Sequence, residues 1–318
     1  MLTLTTAQQT AFVNALLSLK AKGKYDSYVT THFNAMMHIT PAPGDPPPPP
    51  GDPDPMATQM MYRNAADSGP AFFPWHRELV LRLEKDLSVE MGEADFAMPY
   101  WNWAADSALT PGTSPIWSPT LMGGDGDQTK ANQVTTGPFR SKASGGVWTT
   151  VEMNPDTGAI LPVGVLTRTL GRGTALLGGS IKTLPTPANV TATQALTPYD
   201  TTDFSSNQKV TGYRNAAEGW NPYGMHNLVQ VWVGGSMEPA TSPNDPVFFL
   251  HHCNVDRLWN LWQTAKAGGF GKGYLPVSGG PVGHNLTDAL FPWNTAADTR
   301  TPADLVNSLT LGYKYDTD

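Results

Sequence analysis

The sequence predicts a mainly α fold threaded with long irregular loops and a few short strands, and three observations predict it. Four stretches carry helical periodicity or helix-end signals: residues 6–22, 24–38, 76–91 and 252–266. Apolar residues make up 40% of the 318-residue chain, enough for one substantial core or two modest ones. Glycines number 31 and prolines 29, so much of the remaining chain must run as loops.

The opening "MLTLTTAQQTAFVNALLSLKAKG" reads as a capped amphipathic helix that begins at Thr5 or Thr6 and ends at Gly23. It lacks the basic leading region of a secretory signal, and Asn14 interrupts its longest apolar run. After the second helix comes "TPAPGDPPPPPGDPDPMA", which suits neither helix nor strand and predicts a Pro-rich surface loop over 41–55. The third helix sets Leu79, Leu83 and Leu87 on one face, with Glu78, Arg82 and Lys85 elsewhere around it. From about 104 to 220 the chain is Gly, Pro, Thr and Ser broken by short apolar runs, with short strands expected around 147–152 and 160–170. A shorter helix starts near His226 in "MHNLVQVWVGG" and stops at Gly234–Gly235. Neither a repeat nor a domain boundary is visible, so residues 1–318 read as a single domain.

Charge and cysteine content exclude several functions. The net charge is −7 and the 20 Lys and Arg are scattered, so the basic face of a nucleic-acid binder is missing. Cys253 is the single cysteine, which excludes an internal disulfide framework and a Cys-rich metal site. No uncharged run is long enough to span a bilayer. The expectation is a cytoplasmic chain, or one exported through a partner protein that carries the signal. The oligomeric state is not legible.

The seven histidines are 32, 38, 76, 226, 251, 252 and 284, and most fall in or at the head of the expected helices. Imidazole suits copper, zinc and iron, and side chains projecting inward from facing helices commonly hold two metals. A solitary histidine among aromatics is as often a hydrogen-bonded core residue. Spacing alone leaves both readings open.

The segments "FFPWHRELVLRLEKDL", "MPYWNW", "HNLVQVWVGG" and "SPNDPVFFLHHCNVDRLWNLWQ", in this order, resemble the tyrosinase family of type-3 copper proteins. The tail from "GHNLTDALFPW" to "TPADLVNSLTLGYKYD", with Tyr313 and Tyr315, is similar to the end of that family's core domain. The resemblance runs from about residue 10 to 316. It implies a four-helix bundle core, two coppers each held by three histidines, and a polyphenol oxidase-type oxidoreductase. Its partners would be O2 and a small phenolic substrate.

Carried over position by position, the resemblance is incomplete. For the first copper it implies His32 and His76, but the ligand nine residues before His76 falls on Asp67. For the second it implies His226 and His252, while the position four residues after His226 holds Gln230. His251 would pack beside the site. Four of six ligands are thus kept, and fewer than two coppers are expected. His38 lies six residues after His32, roughly 240° around a straight helix, and would ligate only if that helix bends. His284 falls in the tail motif and is expected to be structural.

The replacements matter chemically. A carboxylate at Asp67 adds negative charge and a harder donor, favouring oxidised copper over the reduced, O2-reactive form. Asp67 would either ligate or cap the turn at "SGP". Gln230 offers an amide oxygen, a poor copper ligand, and is expected to hydrogen-bond within the bundle instead. Glu218 and Asn227 resemble the family's carboxylate–asparagine pair that holds a water, a candidate general base, though Glu218 also reads as a plain loop residue. Trp220 and Phe248 are expected walls of the substrate pocket or simple core. Asn102 stands where the family usually has Asp, and Cys253 is expected to pack.

The expected function is therefore oxidation of phenols, catechols or o-aminophenols with O2 at an impaired or altered dinuclear copper site. Two alternatives stand beside it: a catalytically silent homologue, natural or engineered, and an altered single-metal site holding zinc or iron, which His32, Asp67 and His76 would suit as a two-histidine, one-carboxylate set.

Overall fold

The fold is given by a computed structural model, which describes residues 1, 3–40, 63–154, 157–161, 164–174, 179–201, 204, 211–219 and 223–318. The Pro-rich loop expected over 41–55 lies outside the described residues.

The first helix, α1 (Thr6–Ala21), is closed by a capping box in which Thr5 Oγ1 accepts from Gln8 N and the Gln8 side chain accepts from Thr5 N. It ends just before Gly23, whose φ of 71° is cheap only for glycine. The second, α2, spans Asp26–Met37. The third, α3, spans Phe72–Met91 and so starts four residues earlier than the sequence predicts. Pro74 is tolerated there because first-turn N–H groups have no intrahelical acceptor to lose. Leu79, Leu83 and Leu87 are buried as their spacing requires.

Three short helices fill parts of the chain the sequence left irregular or unassigned: α4 (Pro187–Gln194), α5 (Tyr213–Glu218) and, near the end, α8 (Pro302–Leu305). Between the last two lie α6 (Met225–Val233), which stops at Gly234 with φ 66°, and α7 (Val247–Lys266). The α7 helix begins five residues before the expected 252, because Asp245 Oδ1 accepts from Val247 N at 3.1 Å and closes the first turn. Among the described residues no helix is long and apolar enough to cross a membrane.

The strands fall elsewhere than predicted. Among the described residues, 147–152 and 160–170 carry only isolated bridges, Ser141 with Trp148, Thr150 with Gly164, Met153 with Ile160 and Gln133 with Thr167, which never extend into a ladder. Instead two-residue strands pair antiparallel: β1 (Gly126–Asp127) with β2 (Gln133–Val134), β3 (Gly173–Thr174) with β4 (Ser180–Ile181), and β5 (Asn294–Thr295) with β6 (Asp298–Thr299). Gly173 must be glycine, since a Cβ there would lie 1.7 Å from the Val231 carbonyl oxygen.

The contacts group into two compact units, and the divisions fall inside α2, α3, α4, α6 and α7. One comprises Met1–His32, Val80–Pro187 and Leu228–Asn254. Its core packs Tyr25 edge-to-face with Trp148 and Phe249, and Tyr25 donates to the Pro243 carbonyl at 2.7 Å. Arg168, fully buried, grips both oxygens of Asp245 at 2.7 and 2.8 Å and donates to the Met122 carbonyl. That grip sets the turn from which α7 departs.

The other unit comprises Phe33–Leu79, Ala188–Asn227 and Val255–Asp318. Phe73 stacks on Tyr213 and Trp259, with Tyr199, Trp262 and Tyr274 completing the aromatic core. Arg77 is buried over the Trp259 ring and paired to Asp256, whose Oδ2 accepts from both Tyr313 and Tyr315. The closing tyrosines therefore anchor the tail to the start of α3.

Candidate metal centre

Three of the candidate ligands are oriented by a hydrogen bond through Nδ1. On α3, one turn in, His76 Nδ1 donates to the Phe72 carbonyl at 2.9 Å. On α2, His32 Nδ1 donates to the Ala240 carbonyl at 2.7 Å. On α6, His226 Nδ1 donates to Asn227 Oδ1 at 2.9 Å, and Asn227 is held in that orientation because its Nδ2 donates to the Glu218 and Gly219 carbonyls. A carbonyl or amide oxygen only accepts, so all three rings carry their proton on Nδ1 and the lone pair on Nε2. This is how metal-binding imidazoles are commonly prepared. Burial also lowers the His32 pKa to about 4, keeping that ring neutral and basic.

Asp67 sits at the end of a tight turn. Asn64 Oδ1 accepts from Ala66 N and Asp67 N, and Asn64 N donates back to the Asp67 carbonyl. The cap of this turn is thus Asn64, which leaves the Asp67 carboxyl for other use. Asp67 Oδ1 lies 3.6 Å from His76 Nε2 and accepts no hydrogen bond. Burial raises its pKa to about 7.

Asp67, His76 and His226 belong to one unit, with Asp67 Oδ1 3.6 Å from His76 Nε2, and His32, His251 and His252 belong to the other. All six are buried. Neutral imidazole nitrogens suit copper, and the carboxylate also admits harder divalent ions. The donors therefore fit the metal that the sequence implies. His251, expected beside the site, is fully buried with its ring 5.1 Å from that of His252.

The other expected residues are placed as follows. Phe248 is fully buried with its ring 4.1 Å from that of His252 and 5.1 Å from that of His32. Gln230 is buried on α6, one turn after His226. Trp220 lies outside the described residues. His38 is stacked on Phe291 at 4.2 Å. His284 is buried as a structural link: Nδ1 accepts from Ala71 N at 3.0 Å and Nε2 donates to Thr40 Oγ1 at 2.7 Å. Asn102 is exposed and Cys253 is buried.

Glu218 and Asn227 do not meet side chain to side chain; Asn227 reaches the backbone carbonyl of Glu218. The Glu218 carboxylate accepts from Ser68 N at one oxygen and from Arg214 Nη1, at 3.3 Å, at the other. Burial raises its pKa well above the usual range, opposed by Arg214 and reinforced by Asp67. Sequence reading missed Arg214 and Ser68. The i, i+4 spacing of Arg214 and Glu218 on α5 was the one available signal, and nothing local marks Ser68.

The family model described as the common central domain of tyrosinase matches residues 22–265. The chain is 38% identical over 318 residues to a tyrosinase of Streptomyces glaucescens, covering 99% of this chain and 97% of that protein. It is 31% identical over 338 residues to grixazone synthase of Streptomyces griseus, covering 99% and 97%. Among solved structures, a polyphenol oxidase variant from Thermothelomyces thermophila superposes with a TM-score of 0.62 at 21% identity, over 96% of this chain and 84% of that one.

Proposed function

The chain belongs to the tyrosinase family of copper oxidoreductases, and from that premise we propose that it oxidises catechols and o-aminophenols with O2 at a centre whose two donor sets, read from the family's motifs, are unequal. The observation that carries this reading is the buried Asp67 carboxylate, 3.6 Å from His76 Nε2, at the position where the family's motif has an imidazole. By the family's motifs His226 and His252 would hold one copper, with Gln230 standing where the third imidazole is expected. His32, Asp67 and His76 would hold the other site, where the Asp67 charge favours the oxidised metal.

Copper, when bound, supplies the redox chemistry with O2. The chain's own residues prepare for it. His32, His76 and His226 keep their protons on Nδ1 and present Nε2. Phe248, buried against His32 and His252, excludes water from their edge. Asp67, raised by burial to about 7, would release its proton to hold a cation.

A second reading is favoured by one observation. Asp67 Oδ1 lies beside His76 Nε2, and with His32 added from the motif the three would make a two-histidine, one-carboxylate group, which suits iron(II) or zinc. Metal analysis after copper loading and gel filtration tests both, together with oxygen uptake on matched catechol and monophenol. The expected result is fewer than two tightly held coppers per chain and faster uptake on the catechol. Two retained coppers with equal rates and no lag would overturn the proposal; zinc or iron retained against excess copper would favour the second reading.

A further inference from the structure

Glu218 is 1% exposed and has two side-chain contacts of different purpose. Arg214, fully buried, spends Nε and Nη2 on a two-pronged grip of Asp200 at 2.7 Å each, and offers Nη1 to Glu218 Oε2 at 3.3 Å. The other oxygen, Oε1, accepts from the backbone N–H of Ser68, the residue that follows Asp67. Ser68 has a φ of 61°, the left-handed region that a residue with a Cβ adopts at a cost. Such a conformation persists only where its surroundings hold it. Here the holders are Asn64, which caps the turn from inside, and Glu218, which grips it from α5.

We infer that Glu218 is a positioning residue: through the Ser68 amide, and braced by Arg214 and Asp200, it holds the turn that aims the Asp67 carboxyl at His76. Released from Oε1, the Ser68 peptide would relax towards ordinary φ values and carry the adjoining Asp67 with it. The geometry of Asn227 agrees, because its amide is committed to His226 and to two backbone carbonyls and makes no direct bond to the Glu218 carboxylate. The inference rests on the reading that Asp67 faces a metal, and the clamp itself can be measured without one.

The test crosses reach against basicity in the full chain. Glu218→Asp keeps a carboxylate beside Arg214 but withdraws it from Ser68 by one methylene; Glu218→Gln keeps the reach and an accepting oxygen but is no base. Arg214 keeps both Asp200 bonds in either variant. In metal-free protein, hydrogen exchange at the Ser68 amide should quicken about tenfold or more in the Asp variant and stay near parental in the Gln variant. Copper(II) affinity and the copper(II) spin-resonance spectrum should follow the same order, changed by Asp and rescued by Gln.

Parental exchange in the Asp variant would overturn the clamp. So would a Gln variant that loses Ser68 protection as fully as the Asp variant does. Asp67→Ala serves as the control for the metal reading. If it leaves copper(II) affinity and spectrum unchanged, Asp67 is no ligand, and the exchange result still decides what Glu218 does.

Discussion

At the scale of single residues, burial decides chemistry more than residue type does. Glu238 shows this away from the metal centre. It is partly buried, accepts from Gly235 N at 3.2 Å, and is raised by desolvation to about 7 from 4.5. A carboxyl whose folded pKa lies above its unfolded value contributes most at low pH, and that contribution is lost as pH rises from the unfolded value through about 7. Glu238→Gln keeps an acceptor for Gly235 and removes the titration. It should therefore be near neutral in stability at pH 4 and stabilising by about 1 kcal/mol at pH 8, solvent access having reduced the effect. Urea unfolding of both proteins at the two pH values checks this; a difference independent of pH would sink it.

At the scale of elements, helix ends position the candidate ligands. The α7 helix carries His251 and His252 in its first two turns, and its start is set by Asp245, which both caps Val247 and pairs with buried Arg168. Breaking a buried pair by removing one partner leaves the other charge uncompensated, which costs about 3–5 kcal/mol. Asp245→Ala should lose about that much in urea unfolding and also lower copper retention, because the first turn of α7 frays. Loss of stability with full copper retention would separate the turn from the site. Sequence periodicity located α7 but placed its start at 252, since the acceptor for its first turn comes from a residue before Pro246.

At the scale of the whole molecule, the two replaced positions act together or not at all. Asp67→His removes the negative charge from the first set, and Gln230→His returns an imidazole one turn after His226 on α6. Each alone should change catechol oxidation by no more than a few-fold, whereas the double variant should exceed the product of the singles, because groups that work as one unit are non-additive. Copper content should rise towards two per chain in the double variant. Oxygen uptake and metal analysis across the four proteins measure both quantities. Simple additivity would show that the two sets do not work as a pair.

The sequence by itself determined the helical class, the capped first helix, the leucine face of α3 and the segments that carry His32, His76, His226 and His252. These follow from local rules: periodicity, caps and contiguous motifs are written within a few residues of one another. It also exposed Asp67 and Gln230 as replacements, because each stands inside such a motif. Only the tertiary structure decided what those residues face. Asn64 rather than Asp67 caps the turn, the His251 ring packs beside that of His252, and the Glu218 carboxylate reaches Ser68 across 150 positions of chain. The strands expected near 147–152 and 160–170 reduced to single bridges for the same reason: pairing depends on which distant backbone supplies the next partner. Local patterns specify where a side chain sits on its helix; which distant atom it meets is set by the packing of the folded chain.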